Sequence, residues 1–153
     1  MKHLDKLYYF IIFISILMIS NLSSANCSIT GVDSLSFGSY NPLDTNDSIS
    51  QNNITINCRG KKSFTIKLST GNSGDFSQRK LNYTLGLGLI SLNYNIYLDS
   101  GYTSIWGDGT NNTSFYSNSI KGTDVITAYG KLPAKQNVIM GTYTDSIMVT
   151  LEF

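Results

Sequence analysis

Apolar and polar residues alternate with a period of two along much of this 153-residue chain. The pattern is cleanest at the end. Within Gly141–Phe153, Ile147, Val149, Leu151 and Phe153 alternate with Ser146, Met148, Thr150 and Glu152. Period two marks a strand with one face in a core and the other toward solvent. The same reading predicts strands at 50–58 (Ile54, Ile56 and Cys58 inward), 63–70 (Phe64, Ile66, Leu68), 92–98 (Leu92, Tyr94, Ile96, Leu98) and 123–131 (Val125, Thr127 and Tyr129 opposite Ile126 and Ala128). A first strand follows Cys27 through Ile29 and Leu35, kinked near Gly31–Ser34. Leu81–Ile90 is a weaker strand, because Gly86 and Gly88 fall in its interior. Tyr102–Trp106 is a short aromatic run, and Ser114–Ser119 a loop or ragged edge. Arg59-Gly60-Lys61-Lys62 reads as a basic hairpin tip, and 71–75, 99–101 and 107–112 as turns.

Beyond residue 25 no window shows a 3.6-residue apolar period, and helix formers are scarce. About seven short strands at such spacing predict an all-β, immunoglobulin-like sandwich. A strand as apolar as the last is ordinarily paired on both sides or covered, since an open edge invites pairing with another chain. That edge is the expected functional surface.

Residues 1–25 read as a secretory signal peptide: basic Lys2 and Lys6, an apolar run Leu7–Ile19 broken only by Ser15, then small Ser23 and Ala25 before the cut. A retained membrane anchor is the competing reading, but the run falls short of the ~20 residues a spanning helix needs. Residues 26–153 then form one domain, and no membrane span is expected once the signal is cleaved. In that domain nine Lys and Arg balance nine Asp and Glu. Nucleic acid is not an expected partner, for want of a basic field. The one histidine, His3, leaves with the signal, which removes imidazole from any triad or metal site. Asp99, Asp108, Asp124 and Asp145 stand among turn and strand-end residues, and a calcium site at Asp108 and Asn111 lacks carboxylates. No enzyme, cofactor or metal is expected. In an exported chain Cys27 and Cys58 read as a disulfide. Tyr102, Trp106 and Tyr116 are candidate contacts to a glycan or abiotic surface, against the plainer reading of core filling.

Eight short motifs occur in order: F-G-x-Y at Phe37–Tyr40, I-x-I-x-C at Ile54–Cys58, L-S-T-G at Leu68–Gly71, R-x-L at Arg79, Y-N-I-Y-L-D at Tyr94–Asp99, W-G-D-G at Trp106–Gly109, Y-G-x-L-P-A-x-Q at Tyr129–Gln136 and G-x-Y-x-D at Gly141–Asp145. With them the chain resembles the spore coat U domain family, which includes spore-coat proteins and subunits of archaic chaperone–usher pili. The resemblance implies a sandwich lacking its last strand. A periplasmic chaperone supplies that strand first, and after passage to the usher the donor segment of a sister subunit replaces it. It places Ile147, Val149, Leu151 and Phe153 on one wall of an acceptor groove, and Ile29, Val32 and Leu35 on the other. After the expected cleavage only Asn26 precedes Cys27. Such a subunit accepts a strand without giving one, as a tip or initiating subunit on the cell surface would. The alternative is a self-sufficient secreted domain that binds a glycan or surface and fills its own groove, with Leu81–Ile90 as the spare segment.

Overall fold

The structure, a computed structural model, describes residues 26–86 and 88–153. The proposed signal at 1–25, His3 and Leu87 lie outside the described residues. The strands are β1 (Asn26–Val32), β2 (Ser48–Leu68), β3 (Arg79–Leu85), β4 (Gly88–Tyr97), β5 (Tyr116–Leu132) and β6 (Val149–Glu152). Among the described residues the helical content is a single 3-10 turn at Gly71–Ser73. The order across the sheet is β1-β2-β5-β4-β3, with β6 also on β2.

One long antiparallel ribbon, β2 with β5, organises the sandwich. On β2 the inward row runs Ile54, Ile56, Cys58 and then Phe64, Ile66, Leu68, all buried. Arg59–Lys62, expected at a hairpin tip, instead lies inside this strand. Gly60 (φ 86°) and Gly122 (φ 99°) stand at a register shift between Cys58 and Lys62. A glycine can adopt this left-handed backbone without a Cβ clash, so the ribbon bulges and bends rather than turning back. Before the bend β2 pairs with β1, and after it with β6. One ribbon thereby serves both layers of an immunoglobulin-like sandwich.

Two further expectations change. Leu81–Ile90 is not one strand but the turn of the β3–β4 hairpin, with Gly86 at φ 59°. The final strand is ladder-paired only at Val149–Glu152, so 141–148, though alternating in sequence, is not part of a ladder. The kink in the first strand is present as a register shift between Ile29 and Gly31. Cys27 lies directly opposite Cys58 and is disulfide-bonded to it, which fastens β1 to the ribbon.

The core joins both halves of β2 to Leu92, Tyr94 and Ile96 of β4, Ile126, Ala128 and Leu132 of β5, and Trp106. Trp106 is wholly buried, and its indole Nε1 donates to the Ile66 carbonyl at 3.0 Å.

Candidate functional site: an apolar groove between two unladdered lips

Two stretches flank the open side of the core. The first lip, 33–40, leaves β1 and is held by scattered bonds rather than by a ladder. Asp33 N donates to Asn53 O at 3.0 Å, Asn52 Nδ2 to Asp33 O at 2.5 Å, and Ser50 Oγ to Ser36 O at 2.6 Å. The backbone amides from Ser34 to Phe37 have no partner among the described residues. Leu35 and Phe37 turn inward onto Gly130, where a Cβ would meet Leu35 Cδ2 at 2.7 Å and Phe37 Cζ at 2.9 Å. Glycine at 130 is what lets this lip lie so close to β5. Phe37 also packs edge-on to Tyr94, with ring centroids 5.8 Å apart.

The second lip runs from Val138 to Met148 and touches the sandwich at a few points. Thr144 exchanges two backbone hydrogen bonds with Asn82, at 2.7 and 3.0 Å. Met148 bonds Ser69 twice, through its N–H to Ser69 Oγ (2.9 Å) and its carbonyl from Ser69 N–H (3.0 Å). Asp145 is the strongest anchor: its carboxylate accepts from Tyr94 OH, Asn72 N and Ser146 N at 2.8, 2.8 and 2.7 Å. Burial, and then the bond to Asp145, push the Tyr94 phenol far above its ordinary value, so it stays a neutral donor. Behind this lip Arg79 is fully buried. It donates to the carbonyls of Ser69 and Trp106 and to Asn95 Oδ1, and burial lowers its pKa. Through Ser69 it supports Met148.

Between the lips lie two adjoining cavities of about 570 and 470 Å³ that share Leu35, Phe37, Leu81 and Tyr143. The floor is apolar, with Ile54, Leu68, Ile96 and Ala128 beneath the smaller cavity and Leu92 and Leu132 beneath the larger. The unpartnered amides of 34–37 on the first lip suit an extended segment laid alongside it.

The structure brings Val32, Leu35, Ile147 and Val149 together around the smaller cavity. Ile29 and Leu151 are half-buried against the core but do not line it. Phe153 lies elsewhere. It is 57% exposed, beside Glu152 and Ser63 in a separate shallow depression, with Lys62 Nζ 5.6 Å from its ring. Its step in the alternation comes after β6 has ended. The aromatic surface trio is not a cluster of exposed rings. Trp106 has no exposed surface, Tyr116 is half-buried with its hydroxyl on Asp124 Oδ2 (2.8 Å), and Tyr102 stacks edge-on to Tyr97 with Lys131 over its ring. Of W-G-D-G only Trp106 and Gly107 are buried, the turn surfacing again by Gly109, and the buried indole N–H finds the Ile66 carbonyl of β2. The composition had not pointed to Phe37, Leu81, Tyr94, Tyr143 or Asn52 as groove residues. Phe37, Tyr94 and Tyr143 do stand in the motifs F-G-x-Y, Y-N-I-Y-L-D and G-x-Y-x-D.

The model of the Spore Coat Protein U domain matches residues 14–150. The chain belongs to this family. Protein U of Myxococcus xanthus is 26% identical over 141 residues, covering 83% of this chain and 77% of that protein. Among solved structures, a chain of the CsuC–CsuE chaperone–tip adhesion subunit pre-assembly complex, from the archaic chaperone–usher Csu pili of Acinetobacter baumannii, superposes with a TM-score of 0.61 at 23% identity. The match covers 84% of this spore coat U domain chain and 40% of that one, a likeness of fold.

Proposed function

We propose that this chain is a structural subunit of a bacterial surface fibre or coat, completed by an extended segment of another protein laid in the groove. The observation that carries this is the pair of facing lips, 33–40 and 138–148, outside any ladder above an apolar floor. An extended peptide with alternating apolar residues would satisfy both: main-chain bonds to the lips and side chains into the cavities. Family membership and the likeness in fold to the Csu complex point the same way. On this reading the sandwich lacks one strand. A periplasmic chaperone fills the gap in transit to an usher, and a sister subunit fills it in the finished fibre. Residues 26–153 are the mature domain, and 1–25 are removed on export.

Place in the fibre follows from the cut. An N-terminus at Asn26 leaves no donor and makes this a tip or initiating subunit. One about ten residues earlier supplies a strand-length donor at ~3.3 Å per residue and makes it a shaft subunit. Mass spectrometry of the secreted chain separates the two. For the groove itself, the full mature chain is melted with and without an extended peptide of alternating apolar and charged residues. The expected result is a rise in melting temperature that grows with peptide concentration. No shift at saturating peptide overturns the reading.

A second reading has one observation in its favour. β3 already touches the second lip, through the Asn82–Thr144 pair and the Tyr83 ring against Gly141 and Tyr143. A self-sufficient domain would extend that contact and close its own groove. It would unfold cooperatively with no response to peptide.

A further inference from the structure

The inward face of β2 opens with the half-buried polar residues Ser48, Ser50 and Asn52 before the buried row Ile54, Ile56, Cys58, and Asn52 is the one that adjoins that row. Asn52 Nδ2 donates to the Asp33 carbonyl at 2.5 Å. A carbonyl can only accept, so this bond fixes which end of the amide faces the lip and sends Oδ1 the other way. Asn52 Oδ1 is buried and has no hydrogen-bond partner among the described residues, alone in this among their buried side-chain polar atoms. Asn52 lines the smaller cavity beside Val32, Ile54 and Ala128. The other buried polar side chains are all bonded: Arg79 and Asn95 to each other and to backbone, and Thr113 to the Thr110 carbonyl.

Oδ1 is already closed to solvent, so an apolar side chain seated over Asn52 leaves it stranded, at about 1–3 kcal/mol for a buried unmet acceptor. A hydroxyl or amide seated there would be paired. This bears on register. An alternating strand that slips by one residue turns its apolar face outward and is rejected by the floor. A slip by two keeps every apolar residue inward, and an apolar floor alone cannot detect it.

We propose that Asn52 sets the register of the segment in the groove by accepting a hydrogen bond from a Ser, Thr or Asn side chain at one inward position, the other inward positions being apolar. This rests on the groove reading above and names the chemistry of its occupant.

The probe is a set of eleven-residue peptides in which Val at inward positions alternates with Lys and Glu. Each Val is replaced in turn by the nearly isosteric Thr. Affinities for the full mature chain are measured by fluorescence polarisation, beside the Asn52→Val and Asn52→Ala variants. In the wild type one Thr position should bind about tenfold more tightly than the all-Val parent, the ratio a bond to an otherwise unmet acceptor gives. Thr elsewhere should bind equally or more weakly, and in both variants the preference should vanish while the all-Val peptide still binds. Asn52 also holds the first lip, but losing that role would weaken all peptides alike and leave the preference standing. A wild type indifferent to Thr position, or a preference that survives both substitutions, overturns the proposal. If neither variant folds, the wild-type series decides, since indifference there is already fatal. If no peptide binds the wild type at all, the groove reading falls with it.

Discussion

Arg79 gives the sharpest test of how the second lip is held. Its guanidinium contacts neutral acceptors: Ser69 O at 3.0 and 2.7 Å, Trp106 O at 2.7 Å and Asn95 Oδ1 at 2.7 Å. In Arg79→Met the amide of Ile96 still serves Asn95 Oδ1, but the carbonyls of Ser69 and Trp106 lose their partners inside the fold. Two stranded acceptors cost roughly 2–6 kcal/mol, and release from burying a cation returns part of that. A net loss of about 3 kcal/mol lowers the melting temperature of a domain this size by roughly 10 °C. Arg79→Lys adds a pH signature. Burial depresses a lysine pKa far more readily than it neutralises arginine. With the folded pKa below the unfolded ~10.4, the unfolded state binds more protons between the two values. The lysine variant therefore gains stability relative to wild type as pH rises through that window. Melting curves from pH 6 to 9 read both effects. An Arg79→Met melting point within about 3 °C of wild type would refute the dependence of the two carbonyls on this side chain.

Replacing both Cys27 and Cys58 by alanine opens a loop of sequence separation 31 and should cost about 3–4 kcal/mol, read by urea denaturation against the oxidised chain. Trp106→Phe should cost about 2–4 kcal/mol, through the lost bond to Ile66 O and a cavity at a wholly buried position, while intrinsic tryptophan emission disappears. Acid should destabilise the fold in a defined range. Asp47 is held below its ordinary 3.8 by the Ala134 amide and then by Lys131, and Asp99 by the Ser104 and Thr103 amides. Stability from such depressed carboxylates is complete above about pH 4 and is lost as pH falls through their folded values, so melting temperature should hold from pH 7 to 5 and fall below pH 4. Asp47→Asn should flatten part of that fall.

The rows Ile54-Ile56-Cys58 and Phe64-Ile66-Leu68 were legible because a buried strand face writes itself as every second residue. The basic run between them was misread for an equally physical reason. Gly with Arg and Lys is the composition of an exposed tip, and only the matching bulge at Gly122, some sixty residues on, shows that the ladder continues. Likewise the alternation of Ile147, Val149 and Leu151 fixes a face but not a partner. Pairing at Val149 and not at Ile147 depends on where β2 ends at Leu68. Asn52 left no trace in the sequence, standing in a polar stretch, Ser50-Gln51-Asn52-Asn53, that reads as a strand entering from solvent. Its meaning comes from what lies on either side of it in space.

The Tyr40 hydroxyl donates to Pro133 O and accepts from Gln136 N, spanning 93 and 96 residues of sequence. It buttons the first lip to the far end of β5. The ribbon already joins Ser48 to Leu132, so these bonds close only a short excursion of chain, and they can do so only after the ribbon has formed. The ribbon and hairpin can be in place while the floor of the groove is still open to water and to other chains. A chain in that condition would present apolar surface until 33–40 and 138–148 come home. Whatever first reaches the groove in that interval acts on folding speed as well as on final stability.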